Sequence, residues 1–278
     1  MALFGKSEPA EKGEMSFMGH LEALRWHLVR SAAVIFIFAA VAFAFPEILF
    51  GKIILGPRDP QFVTYQTLCN ISQAWSMGDA LCFTKFDFKF QNTDVTGQFT
   101  LHMWAAIVAG IICGFPFLLY ELWKFVKPAL QEKEINAARG FIFYASCLFL
   151  MGVCFSYFIV APMAIYFLGN YQVDPSIQNI FTIDSYISVM TTLVLMMGLV
   201  FELPILAFFL AKFGILTPGF MRKYRRHALI VILIVSAVIT PTTDIFTQML
   251  VAMPLWVLYE ASILVAARVE KQRAEQNL

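Results

Sequence analysis

The chain has 278 residues, of which 59% are hydrophobic and only 14% charged, with a mean hydropathy of +0.71 and a formal net charge of +1. Soluble domains carry about 25% charged residues, so this composition excludes an ordinary soluble domain and points to a bilayer protein. Near-neutral charge gives no electrostatic ground for a nucleic-acid partner.

Apolar stretches joined by short polar links predict spanning helices, since the strands of a barrel would alternate polar and apolar side chains over about ten residues. The first fifteen residues are polar (Lys6, Glu8, Glu11, Lys12, Glu14), and no small-residue cleavage pattern closes the first apolar run, so no cleavable signal peptide is expected. Between Met15 and Arg30, the side chains of Phe17, Met18, Leu21, Leu24 and Leu28 share one helical face. Such spacing predicts an amphipathic helix lying along an interface, and residues 1–29 read as a tail carrying it. A first span follows at about 30–50.

Residues 51–98 are the least membrane-like part of the chain and read as one long extramembrane loop. Within it, Phe83 to Phe90 alternates apolar and polar side chains, a short strand or hairpin signal. The second span is predicted at about 100–121, with a kink or break at Pro116, where a backbone donor is missing. A surface link leads to a third span at about 140–168, which contains Pro162. A short acidic loop with Asp174 and Asp184 precedes the fourth span, about 186–211, which holds Glu202 and Pro204. After a basic link comes a fifth apolar run, Ala228 to Thr240. As a helix it measures about 20 Å at 1.5 Å per residue. A hydrocarbon core is about 30 Å thick, so this run must thin the bilayer, borrow flanking residues or be shielded by neighbours. The sixth span is expected at about 246–267 and a polar tail at 268–278. The fold class is therefore an all-α integral membrane protein, with a six-span domain at 30–267 whose last two spans are short.

Lysines and arginines fix the orientation. Sixteen of the twenty lie in the two tails and in the 121–139 and 212–227 links, whereas Lys52, Arg58, Lys85 and Lys89 all fall in the long loop. The positive-inside rule places both termini in the cytoplasm and the 51–98 loop outside.

The stretch from Phe115 to Glu134 leaves the membrane and settles on its surface. Tyr120, Trp123 and Phe125 are rings suited to headgroup level, interleaved with Lys124 and Lys127. Pro128 breaks the chain again before Glu132 and Glu134. An acidic, aromatic-walled surface beside a membrane suits a cationic ligand; taken alone, the stretch also reads as a juxtamembrane turn with snorkelling lysines. Cys113, Cys147 and Cys154 sit in spans as small apolar groups. Cys69 and Cys82 fall in the outer loop, where an oxidising compartment permits a disulfide; two free thiols are the alternative. No Cys-x-x-Cys spacing or adjacent histidine pair supports a metal site.

Four motifs carry a family resemblance. His20-Leu-Glu-Ala-Leu-Arg25 resembles the His-Leu-x-Glu-Leu-Arg signature of TatC, the receptor subunit of the twin-arginine protein translocase. Pro116, Tyr120, Trp123, Phe125, Pro128, Leu130 and Glu134 resemble that family's first cytoplasmic loop. Phe201-Glu-Leu-Pro204 is similar to its Phe-Glu-x-Pro motif, and Thr240-Pro-Thr-Thr-Asp-Ile-Phe-Thr-Gln248 to its link before the last span. Two departures stand out. The family's glutamate is Ala23 here, with an acid at Glu22 instead, about 100° around a helix. The last link is one residue longer, at Thr242 and Thr243, and the long first loop is an elaboration.

The resemblance implies a multi-pass protein of the bacterial cytoplasmic (inner) membrane that recognises signal peptides carrying paired arginines. It would recruit single-span, TatA- and TatB-like subunits, oligomerise within the complex, export folded proteins, and use neither a cofactor nor catalysis. A receptor that tells two arginines from two lysines needs positioned carboxylates, because only guanidinium offers a planar fork of donors. Glu134 is the first candidate and Glu22 the second, with Phe125 and Trp123 as walls and His20, Leu24 and Arg25 beside them. Glu132 and Glu134 simply balancing Lys133 and Arg139 on a solvated face is the plainer reading. Glu202 is an intramembrane acid, functional by default. Thr240, Asp244 and Gln248 form the implied docking patch for partner helices, with helix capping as the alternative for Asp244. A secondary transporter using Glu202 as coupling residue is the competing function, although no repeated halves are evident.

Overall fold

The structure, a computed structural model, describes residues 17–76, 78, 82, 89–127, 140–174, 176, 179–240 and 245–276. Apolar side chains dominate the long segments and the backbone satisfies its own donors by coiling, the requirement for crossing hydrocarbon. Helix α1 runs from Phe17 to Ala44 without interruption, so no turn separates the expected interfacial helix from the first span. Its apolar part begins at Leu21, nine residues before the predicted start of the span at 30. Helix α2 (Val63–Ala74) lies within the long first loop. Helix α3 (Gly97–Val126) continues through Pro116, which neither breaks it nor ends it.

Helices α4 (Phe141–Phe155) and α5 (Ala161–Asn170) form one span, joined by a π-helical turn at Ser156–Val160. Pro162 explains that turn, because its ring removes a donor and excludes the carbonyl one turn earlier. Helices α6 (Ile183–Val200) and α7 (Leu203–Lys212) form the next span, interrupted at Phe201 and Glu202 just ahead of Pro204. A short α8 (Pro218–Lys223) leads to α9 (Arg225–Ile239) and to α10 (Ile245–Gln276).

Among the described residues, five helical segments are long and apolar enough to cross a membrane: Leu21–Ala44, Gly97–Val126, Phe141–Asn170, Ile183–Lys212 and Thr247–Gln272. The expected fifth span corresponds to α9, which has only 15 residues and falls outside this group. The last span was expected to be short, ending at 267 before a polar tail. Instead α10 is a single 32-residue helix. Its charged end, Glu270 to Glu275, still suits a helix, and Lys271 and Glu275 face each other at 4.0 Å one turn apart.

The core lies where α3, α5, α6 and α10 meet, around Leu193, Met197, Val251 and Leu255. Two close backbone approaches organise it. A Cβ on Gly110 of α3 would stand 2.6 Å from the Ile35 carbonyl oxygen of α1, and one on Gly152 of α4 would stand 2.7 Å from the Met197 carbonyl oxygen of α6. Phe115 and Phe149 stack between α3 and α4, their centroids 3.5 Å apart.

At one end of the bundle the described residues of the 51–98 region form a cap. Strand β1 (Lys89–Gln91) pairs in parallel with β2 (Ile180–Thr182), Phe90 opposite Phe181, so the partner is a distant segment and not the neighbouring arm of a hairpin. The Tyr65 hydroxyl lies 2.9 Å from the Pro57 carbonyl and 3.0 Å from that of Pro162. Tyr186 donates to the Ile54 carbonyl at 2.6 Å, and Tyr157 to that of Ile53 at 2.8 Å. Cys69 and Cys82 are joined by a disulfide with a Cα–Cα distance of 4.4 Å.

Candidate functional site

The opposite end of the bundle is polar. There the N-terminal part of α1 lies against the last turns of α3. His27 Nδ1 donates to Glu121 Oε2 at 2.6 Å, joining residues 94 apart in sequence. Glu121 is only 3% exposed, while Arg30 and Lys124 approach it from the rim at 3.9 and 3.7 Å. The Ser31 hydroxyl donates back to the His27 carbonyl at 3.0 Å. His27 also stands edge-on to Phe125, with ring centroids 6.2 Å apart.

The aromatic residues divide by direction. Trp123 is buried between Phe141 of α4 and Phe209 of α7, at centroid distances of 5.3 and 6.2 Å. It therefore ties α3 to its neighbours and is not an open wall. Tyr120 is exposed, with the Lys124 ammonium 4.3 Å above its ring. Phe125 is half-buried beside His27.

The sequence-predicted residues scatter accordingly. Glu134, with Glu132 and Pro128, lies outside the described residues, as do the His20 side chain and Asp244. Leu24 is half-buried, and Glu22 and Arg25 are exposed. Because side chains four apart share a helix face, Ala23 lies with His27 and Ser31 against α3, whereas Glu22 is turned away. His27 and Glu121 were missed by sequence reasoning. A carboxylate one turn inside an otherwise apolar helix was the available signal, since such a group needs a partner.

Elsewhere at this end, Arg225 Nη2 and Glu260 Oε2 are 2.7 Å apart, and the Tyr259 hydroxyl donates to the Met221 carbonyl at 2.9 Å. Glu202 sits deeper, at the break between α6 and α7, with Oε1 buried and no hydrogen-bond partner for it among the described residues. Near the capped end, the buried Thr240 hydroxyl donates to the Ser236 carbonyl at 2.9 Å, and Gln248 Nε2 donates to the Leu233 carbonyl at 3.1 Å. Gln248 thus fastens α10 to α9. Between these helices an apolar groove of about 720 Å³ is lined by Leu229, Leu233, Met249, Met253 and Val257. Among the described residues no group of three His, Cys, Asp or Glu side chains is arranged to hold a metal ion.

A family model described as Sec-independent protein translocase protein (TatC) matches residues 19–254, from α1 into α10. The chain belongs to the TatC family. The Sec-independent protein translocase protein TatC of Blattabacterium sp. subsp. Periplaneta americana is 35% identical over 264 residues, 95% of this chain and 99% of that protein. The TatC of Helicobacter pylori strain J99 is 42% identical over 161 residues, covering 58% of this chain and 64% of that one. Two crystal structures of a protein described as the twin-arginine translocase receptor TatC, one of them in DDM, give TM-scores of 0.67 and 0.68. They are 28% and 29% identical, and the match covers 90% and 89% of this chain and 99% of each of those. This TatC-family chain is thus a multi-pass membrane protein and a protein-translocase component.

Proposed function

We propose that this TatC-family chain is the receptor of a twin-arginine translocase, binding paired-arginine signal peptides at the polar end of the bundle. In this reading the chain sits in the bacterial cytoplasmic membrane with six spans, α9 being the fifth, and both termini in the cytoplasm. The observation that carries the proposal is the meeting of α1 and α3 at that end, which sets the helix bearing His20–Arg25 against the one bearing Pro116 to Phe125, the described part of the second motif. Guanidinium pairs enter a site walled by Phe125, with Glu134 as the principal carboxylate. Water exclusion by the rings strengthens each charged hydrogen bond.

Partner subunits with a single span dock along α9 and α10. Support comes from the apolar groove between those helices and from the outward-facing Met253 and Val257, 73% and 65% exposed. Gln248 gives one donor to the Leu233 carbonyl, and among the described residues its second donor and its acceptor remain for a neighbour.

The test is a titration of detergent-solubilised full-length chain with a twin-arginine signal peptide and its twin-lysine counterpart. Preference for arginine by about tenfold or more is expected, from bidentate pairing that lysine cannot reproduce. Equal affinities sink the receptor reading. Crosslinking from position 248 to a single-span partner helix tests the docking surface.

A further inference from the structure

We infer that His27 and Glu121 form a clasp that sets the shape of the arginine-binding surface, as positioning residues for the site; the inference rests on the receptor reading above. Glu121 lies inside the apolar span Gly97–Val126, and at 3% exposure its carboxylate has lost almost all contact with solvent. A buried carboxylate needs a partner close enough to replace its water. Lys124 on its own helix stands 3.7 Å away and Arg30 3.9 Å, both on side chains about half exposed, where ion pairs contribute little. Among the described residues, the short bond to Glu121 is the one from His27, and it crosses from α3 to α1.

That bond holds the N-terminal part of α1 in one rotation about its axis, beyond the close packing of Ile35 and Ala39 on Gly110 further along the helix. With His27 turned to α3, Ala23 and Leu24 are drawn half under cover and Glu22 and Arg25 face outward. The signature residues of α1 therefore present one particular set of side chains to a ligand, and the clasp selects which. The same imidazole abuts Phe125, so it holds a wall of the proposed site as well as its neighbouring helix. The outer side of this part of α1 is open among the described residues, with Trp26, Leu28 and Val29 56%, 60% and 49% exposed.

The experiment uses full-length protein in detergent and the arginine and lysine peptides already described, with Glu121→Gln, His27→Ala, the double variant and His27→Arg. Removing either partner should weaken twin-arginine binding about tenfold, as expected for a hydrogen bond to a charged group, while twin-lysine binding stays near its original value. The double variant should be no worse than either single one, the mark of two groups acting as a unit. His27→Arg keeps a donor within reach and should restore the arginine preference, a rescue that general loosening of the fold does not predict. If Glu121→Gln fails to fold, the His27→Ala and His27→Arg pair carries the test alone. Unmodified chain that prefers arginine, with variants keeping that preference within about twofold, overturns the clasp and leaves the receptor standing. Unmodified chain without any preference overturns both.

Discussion

At Glu22 the carboxylate lies on the exposed side of α1, one residue from Ala23, which shares the α3-facing side with His27. The two positions differ by about 100° around the axis, enough to decide what an acid can reach. Glu22→Gln should therefore change twin-arginine affinity by less than about threefold, whereas Glu134→Gln should cost about tenfold or more, by the same titration. Tyr65 illustrates a different control. Burial pushes its phenol well above the ordinary value, and the neighbouring Tyr186 and Tyr166 phenols raise it further. The folded state thus holds the proton more tightly than the unfolded chain. The resulting stability is complete below about pH 10, where unfolded tyrosine titrates, and is lost as pH rises further. Tyr65→Phe should cost about 1–2 kcal/mol and flatten the alkaline fall in melting temperature. The aromatic residues of the α3 exit were legible as residues, but the orientation of each was not. Trp123 faces inward because α4 and α7 bring Phe141 and Phe209 to it, and the His27–Glu121 bond joins positions 94 apart that no local pattern connects.

Among the elements, the long spans were readable because hydrophobicity alone sets their length. Their internal breaks were readable only in part. Pro162 and Pro204 do mark a π-turn and a helix restart, whereas Pro116 sits in a continuous helix. Neighbouring helices and local relaxation can absorb a missing donor, so proline identity alone does not determine the outcome. The contact at Gly110 leaves no such room: a methyl group there meets backbone atoms of Ile35 and Ala39 at 2.6 and 2.8 Å. Gly110→Ala should separate α1 from α3 and lower stability by about 1–3 kcal/mol, read as a drop in melting temperature in detergent. The disulfide closes a loop with a sequence separation of 13. Cross-linking a loop of this size contributes about 3 kcal/mol in the chain-entropy model, so Cys69→Ser or a reductant should lower the melting temperature measurably.

Across the whole molecule, the proposed orientation puts the 51–98 region outside and the 212–227 link in the cytoplasm. In a background with Cys113, Cys147 and Cys154 replaced by Ala, a membrane-impermeant thiol reagent should label Asp94→Cys in intact cells. Lys223→Cys should be labelled only after permeabilisation. Labelling in the reverse order would invert the proposed orientation. The sequence could not foretell how the 51–98 region is held, because its described contacts come from distant segments: Phe181 beside Phe90, and Pro162 against Tyr65.

The pairing of β1 with β2 also bears on how the protein is born. Residues 89–91 leave the ribosome about ninety positions before 180–182, and two spans lie between them. Residues 89–91 therefore wait, without their strand partner, until the next two spans have been made. A nascent chain halted before Ile180 would hold residues 89–91 without their strand partner, and one released beyond Thr182 would hold them paired.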